Sequence, residues 1–209
     1  KPVSYIWATL SLEKLKSLPG LLLYITQILN EGRLGLAEEK CRAFLKKNPT
    51  HTYAMSLLAE IANRLGYFDD AEFLLEKAVE FSPEDGDLRT KYAEILRKKQ
   101  KFSKTMEQVE ILCEKFPDNL SYQAQKASEI MQNGDHKQAI TLLNDILQKN
   151  PYNFSTLTSR GHAQKTLGQT DKAIESYQSA YQIKPDHGEA FFSLANLKTY
   201  SFTRQEMDD

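Results

Sequence analysis

The chain of 209 residues is poor in the features that usually announce chemistry, and each scarcity closes a class of function. Only two cysteines occur, Cys41 and Cys113, 72 positions apart, so neither a disulfide framework nor a cysteine metal spacing can be read. Both fall at or beside core-type helix positions and are expected to be reduced packing residues, which fits a cytoplasmic setting. Neither sign of charge prevails. With 27 basic and 28 acidic side chains the net charge is -1, which lacks the basic footprint of a nucleic-acid binder. The longest apolar run, Leu18 to Ile25, contains Pro19 and Gly20 and is too short to span a bilayer, and no secretory signal pattern is present. His51, His136, His162 and His187 are scattered, without HExxH or a Cys/His pair at metal spacing. There is no GxxxxGK[ST] phosphate loop, no GxGxxG and no GxSxG elbow. The chain therefore reads as non-catalytic, with no metal and no cofactor.

What the sequence does have is repetition. Pro49, Pro83, Pro117, Pro151 and Pro185 stand 34 residues apart without a slip. A period of this size marks a stack of helix-turn-helix units. Taking Phe154 as position 1 of the unit, Leu157, Gly161 and Gln164 fall at positions 4, 8 and 11, on one face of a helix. Gly168 is placed to end that helix in the left-handed conformation, as are Gly32, Gly66 and Gly134 in other units, whereas Gln100 stands there in the third. A β-branched residue at Gly66 is expected to destabilise the array by more than about 1 kcal/mol. The second helix, Thr170 to Ile183, carries Ala173, Tyr177 and Ala180 as its buried stripe before Pro185 stops it.

Residue size follows the same period. Position 8 reads Ile25, Ala59, Ala93, Ala127, Gly161 and Ala195, while position 24 holds Leu75, Val109, Leu143 and Tyr177. Small and large side chains thus meet where two helices approach, as close packing requires. Turns such as SPEDGD and FPDN supply proline and the Asp or Asn that caps the next helix. The pairs Asp69/Asp70 and Glu38/Glu39 sit at bends and helix starts, where they favour the helix dipole. The basic cluster Arg97, Lys98, Lys99, Lys101 and Lys104 straddles a turn and is read as a solvated bend.

These Gly, Ala and Pro positions resemble the tetratricopeptide repeat over roughly Leu18 to Tyr200, with Ile25, Gln100 and Thr105 departing from the usual residues. The resemblance implies an all-α fold, a right-handed superhelical solenoid. Its five units would span 18–51, 52–85, 86–119, 120–153 and 154–187 as one continuous array. Residues 1–17, with Trp7 among Ile6, Leu10, Leu12 and Leu15, are expected to cap the open face of the first hairpin, and 188–209 to begin a sixth unit. In this family the concave surface is lined by the first helix of each unit at positions 2, 5, 9, 12 and 13. That places Tyr53, Glu60, Arg64, Glu94, Arg97, His162, Asn196 and Tyr200 as the candidate partner-binding residues. The carboxylate clamp of chaperone-binding members is not reproduced, since Leu22, Thr26, Leu57, Asp87 and Lys91 occupy its places. The asparagine ladder of sugar-transferring relatives is also missing at position 6.

The stretch Gly188 to Met207 resembles the junction in bacterial proteins where tetratricopeptide repeats precede a sulfotransferase domain that uses 3′-phosphoadenylyl sulfate, with Ser201 replacing an expected arginine. Thr203 to Glu206 has the form of a capping box, so a further helix and a longer parent protein are expected. The resulting expectation is a scaffold that binds a protein or peptide partner in its concave groove, with neither nucleic acid nor membrane as partner. A recruiting arm of a sulfotransferase is the second reading. Weak self-association through Phe191 and Phe192 is the third.

Overall fold

A computed structural model describes residues 19–186 and 188–197. The expected cap at residues 1–17, Tyr200 and the capping box at 203–206 lie outside the described residues. Within them the chain forms eleven α-helices and no strand, so the fold class is all-α. In chain order these are α1 Gly20–Asn30, α2 Leu34–Lys47, α3 Thr52–Leu65, α4 Phe68–Phe81, α5 Gly86–Lys98 and α6 Phe102–Lys115. They continue as α7 Leu120–Gln132, α8 His136–Lys149, α9 Phe154–Thr166, α10 Thr170–Ile183 and α11 Gly188–Ala195. The chain divides into two compact units, Lys1–Gln108 and Val109–Asp209, with the break inside α6.

The period sets the helix ends. Each of α2, α4, α6, α8 and α10 stops two residues before its proline, because that ring cannot continue the ladder and restricts the residue ahead of it. The next helix then starts on a cap. The Asp85 side chain accepts from Asp87 N and Leu88 N at 3.0 and 3.2 Å, Asn119 from Ser121 N and Tyr122 N, and Asn153 from Thr156 N at 3.0 Å. The ends of the first helices use positive φ: 78° at Gly32, 83° at Gly66, 89° at Gly134 and 73° at Gly168. Gln100 takes φ 58° in the same place and is the only non-glycine among the described residues to do so. The geometry of the turn, not its residue, is therefore what the repeat preserves.

In the first unit, one core joins Leu22, Ile25, Ile28 and Leu29 of α1 to Ala37 and Cys41 of α2 and to Ala54, Leu57, Leu58 and Ile61 of α3. A second joins Ala59 and Ala62 to Ala71 and Leu75 of α4 and Tyr92, Ile95 and Leu96 of α5. Thr105, where other hairpins have alanine, is fully buried and satisfies its hydroxyl on the Lys101 carbonyl at 3.1 Å. In the second unit, Ala127 packs with Leu143 and Ile146, and Leu147, Leu157, Ala180 and Ala190 form the next layer. Ala173, Tyr177, Leu194 and Leu197 follow. The glycine at position 8 is explained here: a Cβ on Gly161 would lie 2.4 Å from the Tyr177 ring.

Candidate functional site

In the first unit, the first helices of three hairpins, α1, α3 and α5, are tied together by a run of polar side chains. Arg64 donates through Nη1 to the Leu29 carbonyl near the end of α1 at 3.0 Å and through Nε to Glu60 at 2.7 Å. Asn63 donates to the second Glu60 oxygen at 3.3 Å, and its own carbonyl oxygen accepts from Lys98 Nζ on α5 at 2.6 Å. Arg64 and Glu60 are 22% and 29% exposed, so the pair is reachable yet already oriented. Holding such long side chains in place before binding spares about 0.5–1.5 kcal/mol of ordering cost for each.

Beside this run, α5 presents Lys91 and Glu94 one turn apart. Burial pushes the Lys91 ammonium below its ordinary value, against the surrounding carboxylates Glu60, Asp87, Glu94 and Asp85. Burial likewise pushes the Glu94 carboxyl up, against the opposing pull of Arg97 and Lys98. Neither Lys91 nor Glu94 makes a hydrogen bond or an ion pair with another described residue. A half-buried ammonium and an exposed carboxylate therefore stand beside the hydrogen-bonded run of Arg64, Glu60, Asn63 and Lys98.

Tyr53 occupies a different environment. It is 8% exposed, and its hydroxyl lies 3.0 Å from Thr26 Oγ1. Thr26 spends its proton on the Leu22 carbonyl at 2.8 Å, so Tyr53 is the donor of that pair. Its phenol thereby joins α1 to α3. Glu60, Arg64, Glu94 and Arg97 all lie on α3 and α5 of the first unit, with Glu94 exposed and Arg97 half-buried.

In the second unit, His162 on α9 is half-buried, 3.1 Å from Ser193 Oγ on α11, with its ring 5.4 Å from that of Tyr177. Burial holds its imidazole below the usual histidine value, offset in part by Glu189. Asn196 follows α11 and is exposed. Tyr177 is fully buried with no partner in hydrogen-bonding geometry among the described residues, and burial pushes its phenol up to about 12 even though the nearby Ser193 opposes the shift.

Lys91, Asn63 and Lys98 are the groove residues that the eight-residue expectation leaves out. Their signal was present in the period, since Asn63 and Lys98 stand at positions 12 and 13, but Lys91 is at position 6, where side-chain direction decides the matter. The basic bend is corrected. Lys99 bonds Asp69 and Glu72, and Lys101 reaches Glu72 at 2.6 and 2.7 Å, so these lysines are a structural clasp between α4 and the start of α6. Cys41 donates its thiol to the Ala54 carbonyl at 3.2 Å, and burial raises it to about 12, which leaves it unreactive. No group of three or more His, Cys, Asp or Glu side chains among the described residues is placed to hold a metal ion. No described helix is long and apolar enough to cross a membrane.

Comparison with known proteins locates this architecture. Residues 87–207 match the family described as Psidin, N-terminal TPR repeats region, and residues 29–102 match one described as tetratricopeptide repeat. No curated protein matches the chain. Among solved structures, YrrB, described as a TPR protein with an unusual peptide-binding site, is 16% identical with a TM-score of 0.66, over 87% of this chain and 93% of that one. MamA is 14% identical with a TM-score of 0.68, over 79% and 96%. A tetratricopeptide repeat protein from Parabacteroides merdae is 16% identical with a TM-score of 0.74, over 83% and 69%. At these identities the likeness is one of fold.

Proposed function

We propose that this chain, which belongs to the tetratricopeptide-repeat family, is a non-catalytic scaffold that binds a protein or peptide segment along the groove of α1, α3 and α5. The observation that carries the reading is the pre-ordered run from the Leu29 carbonyl through Arg64, Glu60 and Asn63 to Lys98, flanked by Lys91 and Glu94, which have no hydrogen bond or ion pair among the described residues. An extended segment offers what those two charges lack: N–H groups or a basic side chain for Glu94, and carbonyls or a carboxylate for Lys91. In the second unit, taken by itself, His162 and Asn196 are the residues assigned to partner contact. The solved relative with a peptide-binding site in its description supports peptide as the ligand class.

The test is to select binders from a displayed random peptide library and to measure their affinity for the chain by calorimetry. Replacing Glu60, Arg64, Glu94 and Arg97 together is expected to weaken binding at least about tenfold, because a few central contacts dominate such interfaces. Unchanged affinity removes the groove from the reading. A cytoplasmic setting is part of the proposal and rests on the two unpaired thiols. Weak self-association is supported by Phe192, which is 67% exposed on α11, and light scattering that shows only monomer across a concentration series would exclude it. The recruiting arm of a larger bacterial sulfotransferase rests on residues 188–207 alone, and the matched repeat family covers that stretch. A phosphosulfate-binding loop in the continuing reading frame would be needed to sustain it.

A further inference from the structure

The hairpin α3/α4 departs from its neighbours on the side turned away from the groove. At 3.6 residues per turn, Leu58, Ile61, Ala62 and Leu65 of α3 lie opposite Tyr53, Ser56, Glu60 and Asn63. They form the floor of a cleft of about 190 Å³, walled by Glu38 and Arg42 of α2 and by Tyr67, Asp70 and Phe73 at α4. This volume is below the several hundred Å³ of a cofactor or drug-sized site and suits one or two side chains.

Two of the wall residues break the internal repeat. Position 16 of the unit is Arg33, Lys101, Asp135 or Gln169 in the other hairpins and Tyr67 here; position 22 is Glu39, Glu107, Thr141 or Glu175 elsewhere and Phe73 here. Tyr67 and Phe73 are 60% and 59% exposed, and Leu65 is 41% exposed. Aromatic rings thus replace polar residues at two surface positions, and both stand at one apolar cleft without filling it. Single exposed apolar residues are ordinary, whereas a cluster around a concavity marks a docking surface.

The charge at the rim selects the occupant. Glu38 holds Arg42 at 2.8 Å, while Asp70 has no partner among the described residues. Two carboxylates therefore face one guanidinium, and the rim is negative. We propose that this cleft is a second docking site, taking a short segment of a partner protein that inserts one large apolar side chain and sets an adjacent lysine or arginine against Asp70. The floor supplies the burial and Asp70 supplies the orientation.

Three capped peptides test this by amide chemical-shift titration of the full chain: GSGSLFKKGSG, its charge-reversed form GSGSLFEEGSG, and GSGSGSKKGSG without the apolar pair. The first is expected to shift the amides of Leu58, Leu65, Asp70 and Phe73 in a saturable way. The second should bind about fivefold more weakly, as one rim charge pair allows, and the third should shift none of them. Phe73→Glu, at an exposed position that leaves the fold intact, should weaken the first peptide at least about tenfold. Asp70→Lys should reverse the preference between the first two. Equal binding of both charged forms, full binding to Phe73→Glu, or shifts confined to the α3/α5 groove would overturn the proposal. Cleft amides that move on simple dilution would assign the cleft to a second copy, and movement on Trp7→Ser would assign it to the chain's own first residues; either outcome overturns it too.

Discussion

Gly161→Ala separates helix propensity from packing, because the two predict opposite signs. Inside an exposed helix the change would stabilise by about 1 kcal/mol. On α9 an added Cβ would lie 2.4, 2.7 and 2.9 Å from Cε1, Cδ1 and Cζ of Tyr177. Carbon atoms prefer about 3.5–4.0 Å, so the ring would have to retreat by roughly 1 Å. It has little room: Tyr177 is fully buried against Ala173, Leu194 and Leu197, and the His162 ring lies 5.4 Å away. Overpacking costs about 1–3 kcal/mol, and three ring atoms in conflict place this case in the upper half of that range. Subtracting the propensity gain leaves a net loss of about 1–2 kcal/mol. Urea unfolding followed by far-ultraviolet circular dichroism should therefore show a lower midpoint at unchanged slope. Adding Tyr177→Leu recreates the Ala59/Leu75 and Ala127/Leu143 combinations of other hairpins, and the double variant should exceed the sum of the single effects by at least about 1 kcal/mol. A higher midpoint for Gly161→Ala alone would refute the reasoning, since it would mean that the ring yields freely.

The remaining predictions concern the first unit. Gln100 holds φ 58° where four other turns use glycine, so Gln100→Gly should stabilise by about 1 kcal/mol in the same urea assay, and a loss of stability would contradict the assigned turn. Burial pushes the Glu72 carboxyl upward, but hydrogen bonds from Lys101 and Lys99 outweigh it and hold the group below its ordinary value. A carboxyl lowered in the folded state stabilises above its unfolded pKa, about 4.3, and loses that contribution as pH falls through the folded value. Glu72→Gln should therefore cost about 1–2 kcal/mol at neutral pH, and the gap from wild type should close in acid. A gap as wide at about pH 3 as at neutral pH would assign the loss to packing instead.

The repeat was legible because its punctuation is covalent chemistry. Proline lacks an N–H and glycine lacks a Cβ, so Pro49, Pro83, Pro117, Pro151 and Pro185 fix where helices stop whatever surrounds them, and Gly66 or Gly168 fixes where they turn. The same clarity did not extend to the bend at Lys99 and Lys101. Their partners, Asp69 and Glu72, lie about thirty residues earlier, and only the stacking of one hairpin on the next brings them within reach. Tyr53 shows the same limit, because its place in the period says nothing of Thr26, whose hydroxyl draws the phenol into the contact between α1 and α3.

Within a repeat, a residue that obeys the pattern reports on the fold and a residue that breaks it reports on something particular to this chain. Some breaks are answered locally: Thr105 bonds its own helix, and Gly161 makes room for Tyr177. Such compensated pairs explain themselves through packing and need no ligand. Tyr67 and Phe73 are not compensated in this way, since each replaces a polar residue and keeps more than half of its surface in water. Lys91, half-buried, and Glu94, exposed, stand beside the polar run of α1, α3 and α5 with no hydrogen bond or ion pair among the described residues. Retaining an uncompensated apolar or charged group lowers solubility or stability unless another molecule completes it. These two sets, one at the α3/α4 cleft and one on α5, therefore make residues 52–98 the part of the chain that should respond first to a partner. Amide shifts concentrated in residues 52–98 would carry that signature, and shifts spread evenly over all the hairpins would not.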